Sequence, residues 1–546
     1  MKIWRKNTGS RLWRNVGVGV CGEKTVSFLG ETVVNRHTRG ESMALPPPDG
    51  RPVGQAWLRE RLALRVPAPA VQSFIIQGAR RTEVHDGLTV EFYPPKYGVD
   101  DTAVANLRFA LKHEPFDLGV VVAACKAIEP AAIEAWVRAE PSGAFSRRAW
   151  FLYETFVGQT LDLDNVHSGV GYVDALDDTL HIVGASRKSS RHRVNDNLLG
   201  GRGLCPTVRR TARLDKSIGL EVDNQARALI QDYDPLLLIR AVNYLYTKET
   251  RSSFEIEGEQ PGASRTERFA AALKAAASFD SGDKSSLVRL QGEIVDPRYA
   301  AKDWRDFQNF IGESLGDHRE NVHFICPRPA DVESLMTGWM ALTKRLLEGT
   351  IDPVIAAAVS AFSFVFIHPF EDGNGRIHRF LMHHVLAQRG FSPANIVFPV
   401  SAAILRDRAT YDAVLESFSR PLFECIDWQF NPDVSISVTN DTGHLYRYFD
   451  ATRFAEYLYD RVMDTVKVDL REELGFVALH DRAAAAVREL VDMPDRRLSL
   501  FVRLLIQNGG TLSMTKRTQF EELTDDEVAA LEQAVKAAMA GGHAEP

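Results

Sequence analysis

One short run, His368-Pro-Phe-Glu-Asp-Gly-Asn-Gly-Arg-Ile-His-Arg379, carries an imidazole, carboxylates, two glycines around an asparagine, and two arginines. Histidine titrates near neutral pH, so His368 suits a general base. Gly373-Asn374-Gly375 sits where a helix should begin. Free backbone N–H groups and the positive end of the helix dipole meet there, and glycine lets a ligand approach the backbone. Arg376 and Arg379 are three apart, hence on one helix face. Together these groups form a pocket for a polyphosphate. Asp372 adds a hard oxygen ligand for a magnesium ion riding on it. This reading leaves open which phosphate is attacked.

Two helices must hold that loop. Asp352-Pro353 is a helix start, with Asp as N-cap and Pro at the first helical position. Residues 354–367 are apolar on almost every face, which predicts a buried helix. Pro369 should end it by pushing His368 out of the helical region. Residues 376–389 read as the second helix, closed by Gly390.

The run matches His-x-Phe-x-(Asp/Glu)-Gly-Asn-Gly-Arg-x-x-Arg at every specified position, and through it the chain resembles the Fic family. The resemblance implies transfer of AMP from ATP, with Mg2+, to a Ser, Thr or Tyr hydroxyl of a protein substrate, self-modification included. It implies that His368 deprotonates the hydroxyl and that Phe370 anchors the loop in the core. Asp372 would hold magnesium between the α- and β-phosphates, which Gly373, Asn374 and Gly375 cradle. Arg376 would meet the β-phosphate and Arg379 the γ-phosphate. Upstream, Ser253-Phe-Glu-Ile-Glu257-Gly258 fits the family's inhibitory pattern, (Ser/Thr)-x-x-x-Glu-(Gly/Asn), at the end of a helix predicted over 234–256. This places the chain with the class that has an N-terminal inhibitory helix. A carboxylate there should fork onto Arg379 and deny it to the γ-phosphate. Short extended runs at 308–312 and 322–325 match the family's flap hairpin, which aligns a target by strand addition.

At 546 residues, two to four domains are expected. The fold class is mainly α: a Fic-type helical core with a small flap hairpin, an N-terminal α+β domain and a C-terminal helical domain. Residues 1–42 lack sustained periodicity and read as a disordered or artefactual extension, with Met43 as the natural start. The N-terminal domain spans 43–185, where a helix at 55–64 ahead of a hairpin at 81–93 resembles a winged-helix module. Residues 186–216 crowd arginines and lysines around glycines and read as a basic linker, a surface for an acidic partner or DNA. The inhibitory helix and core span 217–435, with a last helical segment at 410–430. The C-terminal domain spans 436–546, packing or oligomerising, with an acidic final helix that disfavours DNA. His378, His383 and His384 lack metal-ligand spacing. Five scattered cysteines and the lack of a long apolar run suggest a cytoplasmic protein without a membrane span. The net charge of −7 does not favour nucleic acid. Alternatives on the same fold are removal of AMP from a target and transfer of another phosphate-linked group. A different class is a DNA-binding regulator with a vestigial Fic site.

Overall fold

The computed structural model describes residues 50–540, apart from positions 86, 232, 317–318 and 394–395. The reading of residues 1–42, and Cys21 with it, lies outside the described residues. The chain opens with β1 (Arg51–Val53) and α1 (Gln55–Arg61), then β2 (Val71–Ile75), β3 (Arg81–His85) and β4 (Leu88–Tyr93). These strands form one sheet in the order β1-β2-β4-β3, with β2 and β4 parallel and the other pairs antiparallel. Helices α2 (Ala103–His113), α3 (Leu118–Ala127), α4 (Pro130–Ala139) and α5 (Ala144–Leu152) follow. Thr102 and Asp117 cap α2 and α3 with their side chains, satisfying orphan N–H groups of the first turn.

The basic stretch is folded. It supplies short strands β7 (Arg187–Ser189), β8 (Val194–Asp196) and β9 (Val208–Arg209), which pair with each other or with β5 (Val173–Asp174) and β6 (His181–Ile182) just upstream, and it opens α6 (Ala212–Ile218). This corrects the reading of 186–216 as a basic linker. Its arginines find acceptors elsewhere in the chain, Arg191 on Glu154, Arg209 on Asp450 and Arg213 on Asp460, or within the stretch, Arg210 on Asp215. Arg193 instead donates to the carbonyls of Val170 and Ser168.

Next come α7 (Val222–Gln231), the long α8 (Pro235–Ile256), α9 (Ala263–Lys274) and α10 (Lys284–Ile294). The flap is an antiparallel pair, β10 (Phe310–Gly316) and β11 (Arg319–Ile325). Helices α11 (Pro329–Glu348), α12 (Pro353–Ile367), α13 (Asn374–Gln388), α14 (Val400–Arg406) and α15 (Arg408–Leu422) complete this region. The helix expected over 410–430 stops at Leu422. Its tail forms a second small hairpin, β12 (Trp428–Phe430) with β13 (Ile436–Val438). Alternating Trp428 and Phe430 suit a strand better than a helix.

The C-terminal part consists of α16 (Gly443–Arg447), α17 (Thr452–Asp464), α18 (Leu470–Arg488), α19 (Asp495–Gln507), α20 (Met514–Arg517) and α21 (Asp525–Ala540). Thr524 and Glu527 exchange hydrogen bonds as a capping box at the start of α21. One continuous apolar core runs from Trp57 to Val477, and a smaller one joins Ala483 to Val535. Helix α12 lies deep in the larger core, with every residue from Val354 to Ile367 buried. Among the described residues no helix is long and apolar enough to cross a membrane. Cys125, Cys205, Cys326 and Cys425 are free and buried.

Candidate active site

Helix α12 is fixed at both ends. Asp352 Oδ1 accepts hydrogen bonds from the N–H of Val354 and Ile355 at 2.9 and 3.2 Å. At the other end His368 adopts φ 53°, ψ 58° and donates its N–H to the Phe364 carbonyl at 3.0 Å. His368 thus leaves the right-handed helical region ahead of Pro369, as the sequence suggests. The left-handed conformation prevails because it closes the helix with one more hydrogen bond. Arg305, only 5% exposed, ties the turn down: its Nε donates to the His368 carbonyl at 2.8 Å and its N–H to the Pro369 carbonyl at 2.8 Å. The His368 Nδ1 lies 3.1 Å from the Val365 carbonyl. A carbonyl only accepts, so Nδ1 carries the proton and the lone pair sits on Nε2.

The loop folds on its own side chains. Phe370 is fully buried, its ring 5.0 Å from Trp304 and 6.4 Å from Phe364. Asn374 closes the turn, its Oδ1 accepting from the Phe370 N–H at 3.0 Å and its Nδ2 donating to the Phe370 carbonyl at 2.8 Å. Gly373, at φ 91°, is the residue before α13, a conformation that glycine adopts without strain. Asp372 Oδ1 accepts from the Gly373 N–H and from Arg376 Nη2, the latter at 2.7 Å. Gln291 Nε2 holds the Asp372 carbonyl at 3.1 Å.

Helix α8 brings the upstream motif onto α13. Arg379 is 1% exposed; its Nε donates to the Ser253 hydroxyl at 2.8 Å. Its Nη2 donates to the Ser253 carbonyl at 2.7 Å and to Glu257 Oε1 at 2.8 Å. The guanidinium is thus divided between two residues rather than forked onto one carboxylate, because Ser253, one turn before Glu257, reaches it first. Burial pulls the Arg379 guanidinium down, but Glu257, Tyr411 and Glu249 together raise its pKa above the ordinary value. Gly258, at φ 71°, follows the end of α8. A Cβ at Gly375 would overlap Glu257 Oε1, so this carboxylate lies directly over the glycine turn. Two turns before Glu257, the fully buried Glu249 receives His383 Nε2 at 2.8 Å and the Ser401 N–H at 2.8 Å. Histidines 378, 383 and 384 therefore pack the core. Burial pushes the His378 imidazole down to about 3, which keeps it neutral.

Arg376 is 1% exposed and also held by carboxylates. Besides Asp372, it meets both oxygens of Glu259, Nη2 to Oε1 at 3.1 Å and Nη1 to Oε2 at 3.2 Å. Sequence reading missed Glu259. A residue two positions past the inhibitory motif could have been tested as a partner for the second arginine. It also missed Arg305 and Gln291, whose partners lie about 60 to 80 residues away and carry no local signal.

His368, Asp372, Gly373, Asn374, Gly375, Arg376 and Glu257 line one narrow cleft, with a cavity volume of about 40 Å3. Ile256, Ile311, Val365, Arg408, Tyr411 and Leu415 complete its wall. Burial pushes the Tyr411 hydroxyl up to about 12, so it stays protonated. A triphosphate fits this donor set. The buried Nη1 of Arg379 has no hydrogen-bond partner among the described residues, and the start of a helix such as α13 is a general site for an anion. Among the described residues no cluster of three or more His, Cys, Asp or Glu could hold a metal by itself. The single carboxylate of Asp372 suits a magnesium ion whose remaining ligands are phosphates and water.

Residues 282–386 match the Fic/DOC family. The chain carries a Fic/DOC domain. This segment begins at the start of α10, includes the flap, and ends within α13, so Glu257 on α8 lies upstream of it. The chain is 39% identical over 72 residues to the protein adenylyltransferase Fic of Nematostella vectensis, 13% of this chain and 17% of that one. It is 41% identical over 66 residues to the protein adenylyltransferase fic-1 of Caenorhabditis elegans, 12% of each. The chain thus spans less than a fifth of the length of these curated relatives. Among solved structures, a Fic family protein of Desulfovibrio desulfuricans G20 aligns over 57% of this chain and 87% of its own, at 18% identity and TM-score 0.36. A Fic domain-containing signaling protein of Bacteroides thetaiotaomicron aligns over 46% and 96%, at 19% identity and TM-score 0.34.

Proposed function

We propose that this chain is a protein adenylyltransferase that moves AMP from ATP to a hydroxyl of a protein substrate and is restrained by Glu257. The observation carrying this reading is the convergence of His368, the glycine turn and Glu257 in one cleft. His368 Nε2 takes the hydroxyl proton. The hydroxyl oxygen bonds to the α-phosphorus, the bond to the bridging oxygen breaks, and pyrophosphate leaves. Asp372 would hold magnesium, which supplies charge neutralisation on the phosphates. The N–H groups at the start of α13 and the donors of Arg376 and Arg379 orient the chain of phosphates. The flap lies at the rim through Ile311, where a target strand could add.

Glu257 restrains transfer by engaging Arg379 and covering Gly375. The γ-phosphate then lacks its cation and meets a like charge. A second reading, removal of AMP from a target, is favoured by Glu257 and His368 lining the same cleft, where the carboxylate could orient a water. The test uses ATP labelled at the α- or the γ-phosphate, with a Glu257→Gly variant and lysate proteins. Label passing to protein from the α position alone supports the proposal. Label from the γ position, or none from either, overturns it.

A further inference from the structure

A second cavity, of about 530 Å3, lies between the N-terminal sheet, the end of α15 and the α16–α17 segment. That volume is typical of small-molecule sites. Phe74 and Val90 of the sheet, Phe418 and Leu422 of α15, and Phe449 and Phe454 give it apolar walls. Arg209, Asp117, Asp450, Gln72, Ser417 and His444 are among its polar lining, together with Arg59 and Glu424. Asp117 and Asp450 are already engaged. Asp450 receives Arg209 Nε at 2.6 Å and the Thr452 N–H at 2.9 Å, while Asp117 caps α3 through the Val120 N–H at 3.2 Å. Arg209 is not used up: Nε is its one side-chain hydrogen bond among the described residues, and its two terminal nitrogens are unspent. Arg453, exposed at the rim, adds a second guanidinium. Arg209 therefore keeps hydrogen-bond donors to spare beside these apolar walls.

We propose that this cavity binds a small apolar molecule carrying a carboxylate, with the carboxylate on the terminal nitrogens of Arg209 and the apolar body against Phe74, Phe418 and Phe454. A planar guanidinium with two adjacent free donors matches a carboxylate in geometry and charge. The site is independent of the proposed transfer reaction. It shares α15 with the active cleft: Tyr411 and Leu415 face the cleft, Ser417 and Phe418 the cavity.

The test is ligand-observed NMR on the full chain with 4-phenylbutyrate, against 4-phenylbutan-1-ol as the uncharged counterpart. Saturable binding of the carboxylate is expected, with the alcohol at least about tenfold weaker, the usual difference when a charge-assisted pair is lost. Ser417→Trp, which fills the cavity from α15, should abolish binding. The pair Arg209→Gln with Asp450→Asn, which avoids stranding a charge, should weaken it about tenfold. Melting temperatures establish that each variant is folded. No binding of 4-phenylbutyrate up to about 10 mM overturns the proposal. So do equal binding of the alcohol and undiminished binding by folded Ser417→Trp.

Discussion

At the scale of residues, the chemistry rests on the tautomer of His368 and on how two arginines are shared. His368→Ala should lower transfer about 100- to 10,000-fold, the usual cost of losing a general base, and leave ATP affinity within about twofold. Calorimetry beside a labelled-ATP assay checks this, and equal losses in binding and turnover would remove His368 from the base role. Glu259 allows a finer test. It holds Arg376 with both oxygens, but at 32% exposure the pair is worth only about 1 kcal/mol. In a Glu257→Gly background, Glu259→Gln should raise transfer roughly fivefold by freeing Arg376. A fall in transfer would mean that Glu259 holds Arg376 in place instead. The signature loop was legible in the sequence because its chemistry is contiguous. Glu259, Arg305 and Gln291 were not, because each is defined by a partner that only folding brings near.

At the scale of elements, helices announced themselves where caps sit beside periodic apolar runs, as at Asp352-Pro353 and Thr524-x-x-Glu527. The end of α15 and the short strands between 173 and 209 did not, since strands of two or three residues have too little pattern to read. The joint between α1 and α2 depends on a buried carboxyl. Glu114 accepts the Gln55 N–H at 2.9 Å, and burial pushes its pKa up to about 7. A carboxyl whose folded pKa exceeds its unfolded one stabilises the fold below the unfolded value, and that contribution is lost as pH rises through the folded one. Wild type should therefore lose up to about 3 kcal/mol between about pH 4.5 and 8, and Glu114→Gln should flatten that slope. Urea midpoints across this range check it. A slope unchanged in Glu114→Gln would place the linkage on another group.

At the scale of the whole molecule, the basic stretch between the N-terminal unit and the Fic domain is part of the framework. Its arginines suggested a basic linker because their partners, Glu154, Asp450 and Asp460, lie about 40 to 250 residues away. Backbone also meets backbone there: a Cβ at Gly338 of α11 would lie 2.5 Å from the Gly203 carbonyl carbon and 2.7 Å from its oxygen. Helix propensity alone would make Gly338→Ala stabilising by about 1 kcal/mol. The clash cannot be relieved by turning a side chain, so a net loss of roughly 1–3 kcal/mol is expected, seen as a lower melting temperature. A rise would show that the 200–204 loop does not pack against α11. The same framework anchors α8 through Glu249, His383 and Ser401, so release of inhibition should involve the last turn of α8 rather than the whole helix. The most direct measurement of the account is AMP transfer from α-labelled ATP by wild type and by Glu257→Gly. If the block is worth about 3 kcal/mol, the variant should transfer roughly 150-fold more label to protein. A variant no more active than wild type toward any protein would contradict the account.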